Sequence, residues 1–343
     1  MNFRALFNTF SSTSRALPIV IIYVTEGCNL RCISCSYRSS LPGELTLSGI
    51  QELASTLKAF GLRHIVYSGG EPLMRRDFPE IGRIFQDMGV KQTLLTNGLL
   101  LEKRLEEIGH FLTEIIVSID GSTAEVHDGI RGVESFSRIV RGIEKARALS
   151  DRKVLSIRTV LQKRNFRSII EMVNFARSLE VDRISFLAAD VLSTAFGRDM
   201  NGPAASNGDL QLDGEETVLF RSLVERMISE CAEEFHSGFI SDPPDRFFHI
   251  VQYFEALVGK APFPRNLCNA PMMSTVITSA GDLLPCFFLP RFANLRDGQF
   301  DHLVNNPNIR STRSAVRSYS LERCTTCVCS LHISSRKALL DRY

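Results

Sequence analysis

Six short apolar runs precede residue 190, and each of the first five is followed by a longer stretch with apolar residues at helical spacing. The runs are 18–25, 63–68, 91–96, 114–119, 154–161 and 183–187. The first is continuous and β-branched, as a strand buried on both faces requires. Helical periodicity covers 46–60, 77–88, 100–108, 135–149 and 169–179. In the first of these Leu47, Ile50, Leu53, Ala54, Leu57 and Phe60 share a face, and Gly61 ends it. Alternation of this kind predicts an α/β fold, a parallel sheet with helices packed outside it. Ligand sites in such folds gather at the C-terminal ends of the strands.

The 343 residues suffice for one large domain with an appendage or for two domains. A net charge of +2 excludes the strong field expected of a nucleic-acid binder. The basic cluster at 310–317 reads as solvated surface. The longest apolar run, 16–24, is well short of the ~20 residues that span a bilayer. Ser11 to Ser14 interrupts the apolar N-terminus, and no small-residue cleavage site precedes the first motif. A cytoplasmic location is expected.

Composition shifts at 190–214, rich in Gly, Asn, Asp, Ser and Ala, which predicts a loop or linker. Helices follow over 219–231 and 246–258, the first carrying Cys231 on its apolar stripe as a core residue. The expected units are 1–190, a linker with helices at 191–265, and a C-terminal unit at 266–343.

Nine cysteines remain to be explained: an early trio, Cys231, and five in the last quarter. Disulfide scaffolds belong to small secreted chains, so clusters of cysteine in a chain of this size point to metal. The trio is Cys28-Asn29-Leu30-Arg31-Cys32-Ile33-Ser34-Cys35, directly after the first strand. Thiolates are the natural ligands of iron–sulfur clusters. Three are too few for a closed structural zinc site, and they leave one iron of a cubane open. A zinc knuckle is the alternative for the trio taken alone.

Ser68-Gly69-Gly70-Glu71-Pro72 follows the second strand. Its glycines let backbone approach a ligand closely, and Glu71 can meet a cationic amino group. Thr96-Asn97-Gly98 ends the third strand and Ser118-Ile119-Asp120-Gly121 the fourth, with His127-Asp128 and Arg131-Gly132 beyond. Strand-end turns and caps are the plain reading of these strings.

The CxxxCxxC spacing, with the GGEP string, resembles the radical S-adenosylmethionine (SAM) superfamily over about residues 17–190 and part of the C-terminal region. The resemblance implies a partial (β/α)6 TIM-like barrel. It implies a [4Fe–4S] cluster on Cys28, Cys32 and Cys35 whose open iron chelates SAM. SAM is then cleaved reductively to a 5′-deoxyadenosyl radical that abstracts a hydrogen atom from substrate. Gly69, Gly70 and Glu71 would contact the methionine moiety. Ser118, Asp120, Arg131 and Arg158 are further SAM contacts on the same analogy. The residue before the third cysteine, usually aromatic or His in that family, is Ser34 here, and Tyr37 is the substitute for adenine packing.

In the last quarter Cys268 is followed by twelve residues, Gly281, four residues and Cys286. After 37 more comes Cys324-Thr325-Thr326-Cys327-Val328-Cys329. Gly281-Asp282 between apolar pairs predicts a hairpin flanked by Cys268 and Cys286. The pattern is similar to the twitch domain, a shortened SPASM domain; the full form needs about seven cysteines for two clusters. It implies one auxiliary [4Fe–4S] cluster on Cys268, Cys286, Cys324 and Cys327, with Cys329 spare or an alternative fourth ligand. Structural zinc is again the alternative.

An oxidation or rearrangement of a small-molecule or peptide substrate is the activity so implied, with ferredoxin or flavodoxin as electron donor. The 17 residues before the first strand leave no room for a fused leader-peptide domain. An iron–sulfur electron carrier without SAM chemistry is the other class, and it has no need of the GGEP cradle.

Overall fold

The computed structural model describes residues 3–149, 153–198, 207–329 and 331–340. After a short helix α1 (Phe3–Asn8), the chain runs β1 (Ile19–Thr25), α2 (Leu47–Ala59), β2 (His64–Gly69), α3 (Phe78–Gln86), β3 (Lys91–Thr96) and α4 (Leu101–Ile108). It continues with β4 (Glu114–Ser118), α5 (Ala124–Arg131), α6 (Phe136–Arg147), β5 (Val154–Leu161), α7 (Ile169–Ser178) and β6 (Arg183–Ala188). All six strands pair in sequence order and in parallel. Thr46 opens α2 by accepting from Gly49 N, and Ile50, Leu53, Ala54 and Leu57 turn inward.

The unbroken apolar run of β1 has its predicted cause. Val20, Ile22 and Val24 pack into the main core under the helices, while Ile19, Ile21 and Tyr23 face a second core. That second core is built with the C-terminal region, including Met272, Met273, Val276 and Leu289.

Beyond β6 lie α8 (Gly214–Glu230), α9 (Ala232–Ser237), α10 (Pro244–Leu257) and α11 (Ala270–Met273). A capping box of Asp213 and Glu216 starts α8. Cys231 sits in the main core, 4% exposed, as its stripe predicted. Within the expected 190–214 linker, residues 199–206 lie outside the described ones.

The predicted hairpin forms as β7 (Ser274–Ile277) and β8 (Asp282–Leu284), followed by β9 (Ala293–Asn294). It does not stand apart from the barrel. β7 pairs in parallel with β1, so the sheet runs β6-β5-β4-β3-β2-β1-β7-β8-β9 and stays open. The last helices are α12 (Phe300–Leu303), α13 (Pro307–Arg317), α14 (Glu322–Thr325) and α15 (Ser335–Leu339).

In helix α13 Arg310 and Arg317 are exposed, as read, and of the basic residues only Arg313 departs from the reading of 310–317 as solvated. Ile309, Arg313 and Val316 share its buried face. Arg313 is 2% exposed and donates to the carbonyls of Pro271 and Ser12. Burial pushes its guanidinium down to about 10. The helical spacing of Arg313 with its apolar neighbours, not its charge, decides its place.

Candidate functional site

The loop after β1 carries the trio at the C-terminal ends of the strands. Two neighbours fix its course. Arg31 N and Ile33 N, on either side of Cys32, donate to the last carbonyls of α5, Arg131 O (3.0 Å) and Ile130 O (3.1 Å). Gly132, in the left-handed region at φ +70°, makes this approach possible, since a Cβ there would lie 2.4 Å from Arg31 O. Arg38 closes the loop from inside by donating to the carbonyls of Tyr37 and Cys35.

The three thiols lie within electrostatic reach of one another, for Cys35 meets both Cys32 and Cys28. Burial raises the Cys28 thiol and pushes Cys35 up to about 11. Asn97 Nδ2 donates to Cys28 Sγ at 3.9 Å and Arg131 Nη1 to Cys32 Sγ at 3.8 Å. Thiols that resist ionising alone become strong thiolate ligands once a positive centre sits among them. Three soft donors on one loop, two already receiving N–H···S bonds, fit an iron–sulfur cluster with one iron left open.

The GGEP turn packs closely against the chain's own backbone. A Cβ on Gly69 would come within 2.2 Å of Thr25 O, and one on Gly70 equally close to Gly27 O. The glycines therefore clear space for the chain's own backbone: Gly70 N donates to Thr25 O and Glu71 N to Gly27 O. Glu71 is fully buried. Its carboxylate accepts from Leu73 N (3.0 Å), Thr96 Oγ1 (2.8 Å) and Asn97 N (2.7 Å). Burial nonetheless lifts its pKa to about 7. Glu71 thus ties the end of β2 to that of β3 and aims Asn97 at Cys28.

Asp120 and Arg131 are brought together, but toward each other. Arg131 Nη2 lies 2.8 Å from Asp120 Oδ2, and Val160 N donates to Asp120 Oδ1. His127 accepts from Asp120 N through Nδ1, and burial pushes its pKa down to about 3. Ser118, Arg158 and Ser185 are register neighbours across β4, β5 and β6, so they share one face. That face is the inner one, since Leu155, Ile157 and Leu161 point to the main core. Arg158 Nε donates to Ser185 Oγ at 3.2 Å. Tyr37 meets Tyr23, with ring centroids 6.0 Å apart and a hydrogen bond between the hydroxyls, and stays within electrostatic reach of Cys35.

The C-terminal cysteines also converge. Cys286 lies within electrostatic reach of Cys268, Cys327 and Cys329, and Cys324 within that of Cys268 and Cys327. Burial pushes Cys286 and Cys329 up to about 12 and Cys324 up to about 11. Ala270 N donates to Cys268 Sγ (3.4 Å) and Cys329 N to Cys327 Sγ (3.4 Å). Cys329, spare or alternative ligand by the resemblance, lies within reach of the same set. Part-buried thiols with N–H···S donors again fit a cluster.

Residues that no local motif marks join the two thiol sets. Phe196 O accepts from Ser36 N at 2.9 Å, and the Phe196 ring stacks on Phe287, next to Cys286. Phe287 also stacks on Tyr23. Phe196 holds a left-handed backbone (φ 62°), a strain that its packing sustains. Asp190 pairs with Arg198 and with Arg323, each at 2.6 Å, and Arg323 lies over Phe288. The longest of these links, such as Asp190 to Arg323, 133 residues apart, are hidden from any local pattern.

Comparison with known proteins gives two family matches. One described as "Radical SAM superfamily" takes in residues 22–176, and one described as "Iron-sulfur cluster-binding domain" residues 268–328. The chain is 33% identical over 303 residues to a GTP 3′,8-cyclase of Marinobacter nauticus, covering 86% of this chain and 87% of that one. It is 28% identical to an AdoMet-dependent heme synthase of Methanosarcina barkeri, covering 83% and 81%. In fold it is similar to Streptococcus suis SuiB bound to S-adenosylmethionine (TM-score 0.65, 17% identity, 96% of this chain and 76% of that one).

Proposed function

Because the chain belongs to the radical SAM superfamily, we propose that Cys28, Cys32 and Cys35 hold its SAM-binding [4Fe–4S] cluster and that Ser118 and Arg158 receive SAM from the inner face of the sheet. The bound cluster and SAM supply a 5′-deoxyadenosyl radical for hydrogen abstraction from substrate. The observation that carries the assignment is the trio itself: three part-buried thiols at the strand ends, within electrostatic reach of one another, with Asn97 and Arg131 donating to two of them.

The protein's residues divide the remaining work. Gly69 and Gly70 bring the β2 turn onto the segment before Cys28, and the turn's backbone faces SAM from there. Glu71 orders that turn through Thr96 and Asn97. Asp120 and Arg131 act from the cluster side. Cys268, Cys286, Cys324 and Cys327 hold the auxiliary [4Fe–4S] cluster. The substrate is a small molecule or a peptide. A ferredoxin or flavodoxin supplies electrons, and the compartment is the reducing cytoplasm that such thiols need.

Anaerobic reconstitution tests this. Iron analysis is expected to give about eight irons per chain and little zinc. Reduced protein is expected to convert SAM to 5′-deoxyadenosine. Replacing Cys28, Cys32 and Cys35 by Ala abolishes that conversion and leaves the auxiliary cluster's spectrum. Joint loss of both signals would sink the division of cysteines, and intact clusters without SAM cleavage would favour an electron carrier.

A further inference from the structure

The Asp120–Arg131 pair is built against the trio more closely than a SAM contact requires. Arg131 Nη1 donates to Cys32 Sγ at 3.8 Å, while Nη2 pairs with Asp120 Oδ2 at 2.8 Å. Asp120 is 3% exposed and is held in turn by Val160 N at 2.8 Å. The distance from guanidinium to sulfur is set by main chain. Residues on both sides of Cys32 bond to the carbonyls of Arg131 and Ile130, and Gly132 permits that contact.

We propose that Arg131 sets the reduction potential of the cluster on the trio, through its charged N–H···S bond to Cys32, and that Asp120 limits the effect as counter-charge. The inference rests on the assignment of that cluster to Cys28, Cys32 and Cys35. Hydrogen bonds to sulfur and exposure to solvent are what tune such potentials. Reduction adds one electron from the external donor to the cluster and its thiolates. A cationic donor at Cys32 stabilises that added negative charge, so it favours the reduced form. The carboxylate of Asp120 opposes it from farther away. In a buried site both effects act at low dielectric and little screened by salt. Arg131 keeps its proton throughout; it is a contact of the cluster, not a redox partner.

The two members of the pair therefore predict shifts of opposite sign. The test is an EPR-monitored redox titration of the reconstituted full chain, following the component that responds to SAM. Arg131→Met moves that component's midpoint to more negative potential by at least a tenfold change in the reduction equilibrium, about 59 mV for one electron. Asp120→Asn moves it to more positive potential, and Arg131→Lys restores part of what Arg131→Met loses. The auxiliary component stays in place in all three. Shifts of the same sign, or no shift with full cluster content, overturn the proposal. A merely structural Arg131 would lower cluster content in the Met and Lys variants alike, without moving the midpoint of what remains. Should Arg131→Met take up no cluster, Asp120→Asn and Arg131→Lys still decide the sign. Absence of any SAM-responsive component in the unaltered chain would overturn the cluster assignment instead.

Discussion

At the scale of residues, the chemistry depends on side chains whose burial sets their state. His64 on β2 is hydrogen-bonded to Thr93 at 2.8 Å, and burial, aided by Lys91, pushes its pKa from 6.5 to about 4. It is neutral in the fold, whereas the unfolded chain takes up the proton near pH 6.5. Its contribution to stability is therefore intact above pH 6.5 and is lost as pH falls from there toward 4. The loss from pH 7.5 to 5 is about 2 kcal/mol. Anaerobic urea unfolding at the two pH values should show it as a difference between the unaltered chain and His64→Gln, whose stability lacks this pH dependence. The five C-terminal thiols give a second prediction. Cys329 already supplies its main-chain N–H to Cys327 Sγ, a bond that outlives its side chain. Cys329→Ala should keep the auxiliary EPR signal, and Cys324→Ala should lose it and leave about four irons. The reverse pattern would exchange their roles.

At the scale of elements, the short helix α5 is the part least expected from the string His127-Asp128 and Arg131-Gly132. Its caps are ordinary: Thr123 accepts from Val126 N at the start, and Gly132 is left-handed at the end. Its last carbonyls bind the cysteine loop, so a cap glycine becomes part of the site. Gly132→Ala forces a left-handed alanine, a cost of about 1–2 kcal/mol, and drives its Cβ into Arg31 O. Iron should fall from about eight toward about four per chain, with the auxiliary EPR signal retained. Full iron would show that the loop tolerates displacement. The paired glycines at 69 and 70 teach the same lesson, for spacing reveals a close approach but not what approaches.

At the scale of the whole molecule, the two thiol sets share one sheet, one apolar core and one buried ion cluster. β7 joins β1, and the inner face of β1 packs on the C-terminal region. Asp190 at the end of β6 holds Arg323, the residue before Cys324. Arg323→Met leaves Asp190 with Arg198 and strips the cysteine loop of its anchor. A stability loss of about 1–3 kcal/mol is expected, because a buried charge loses a partner. The auxiliary EPR signal should broaden or shift while the SAM-responsive one is unchanged. Thermal unfolding and EPR on the same sample measure both, and an unaltered thermal midpoint would remove the anchor role.

Much of this was legible in the residues alone. Strand β5 and strand β3 lie where periodicity puts them, since alternation and β-branching are local consequences of burial on a sheet. The trio, the GGEP turn and the hairpin are likewise local strings. The partners of those strings are not. Glu71 turns to Thr96 and Asn97, Asp120 to Arg131, Tyr37 to Tyr23, and Arg313 to carbonyls far away in the chain. Sequence determines which groups a segment carries and where along the chain it must bend. Which group meets which is settled when strands order themselves and distant segments close on one core, because hydrogen bonds and ion pairs act over a few ångströms in space, whatever the separation along the chain.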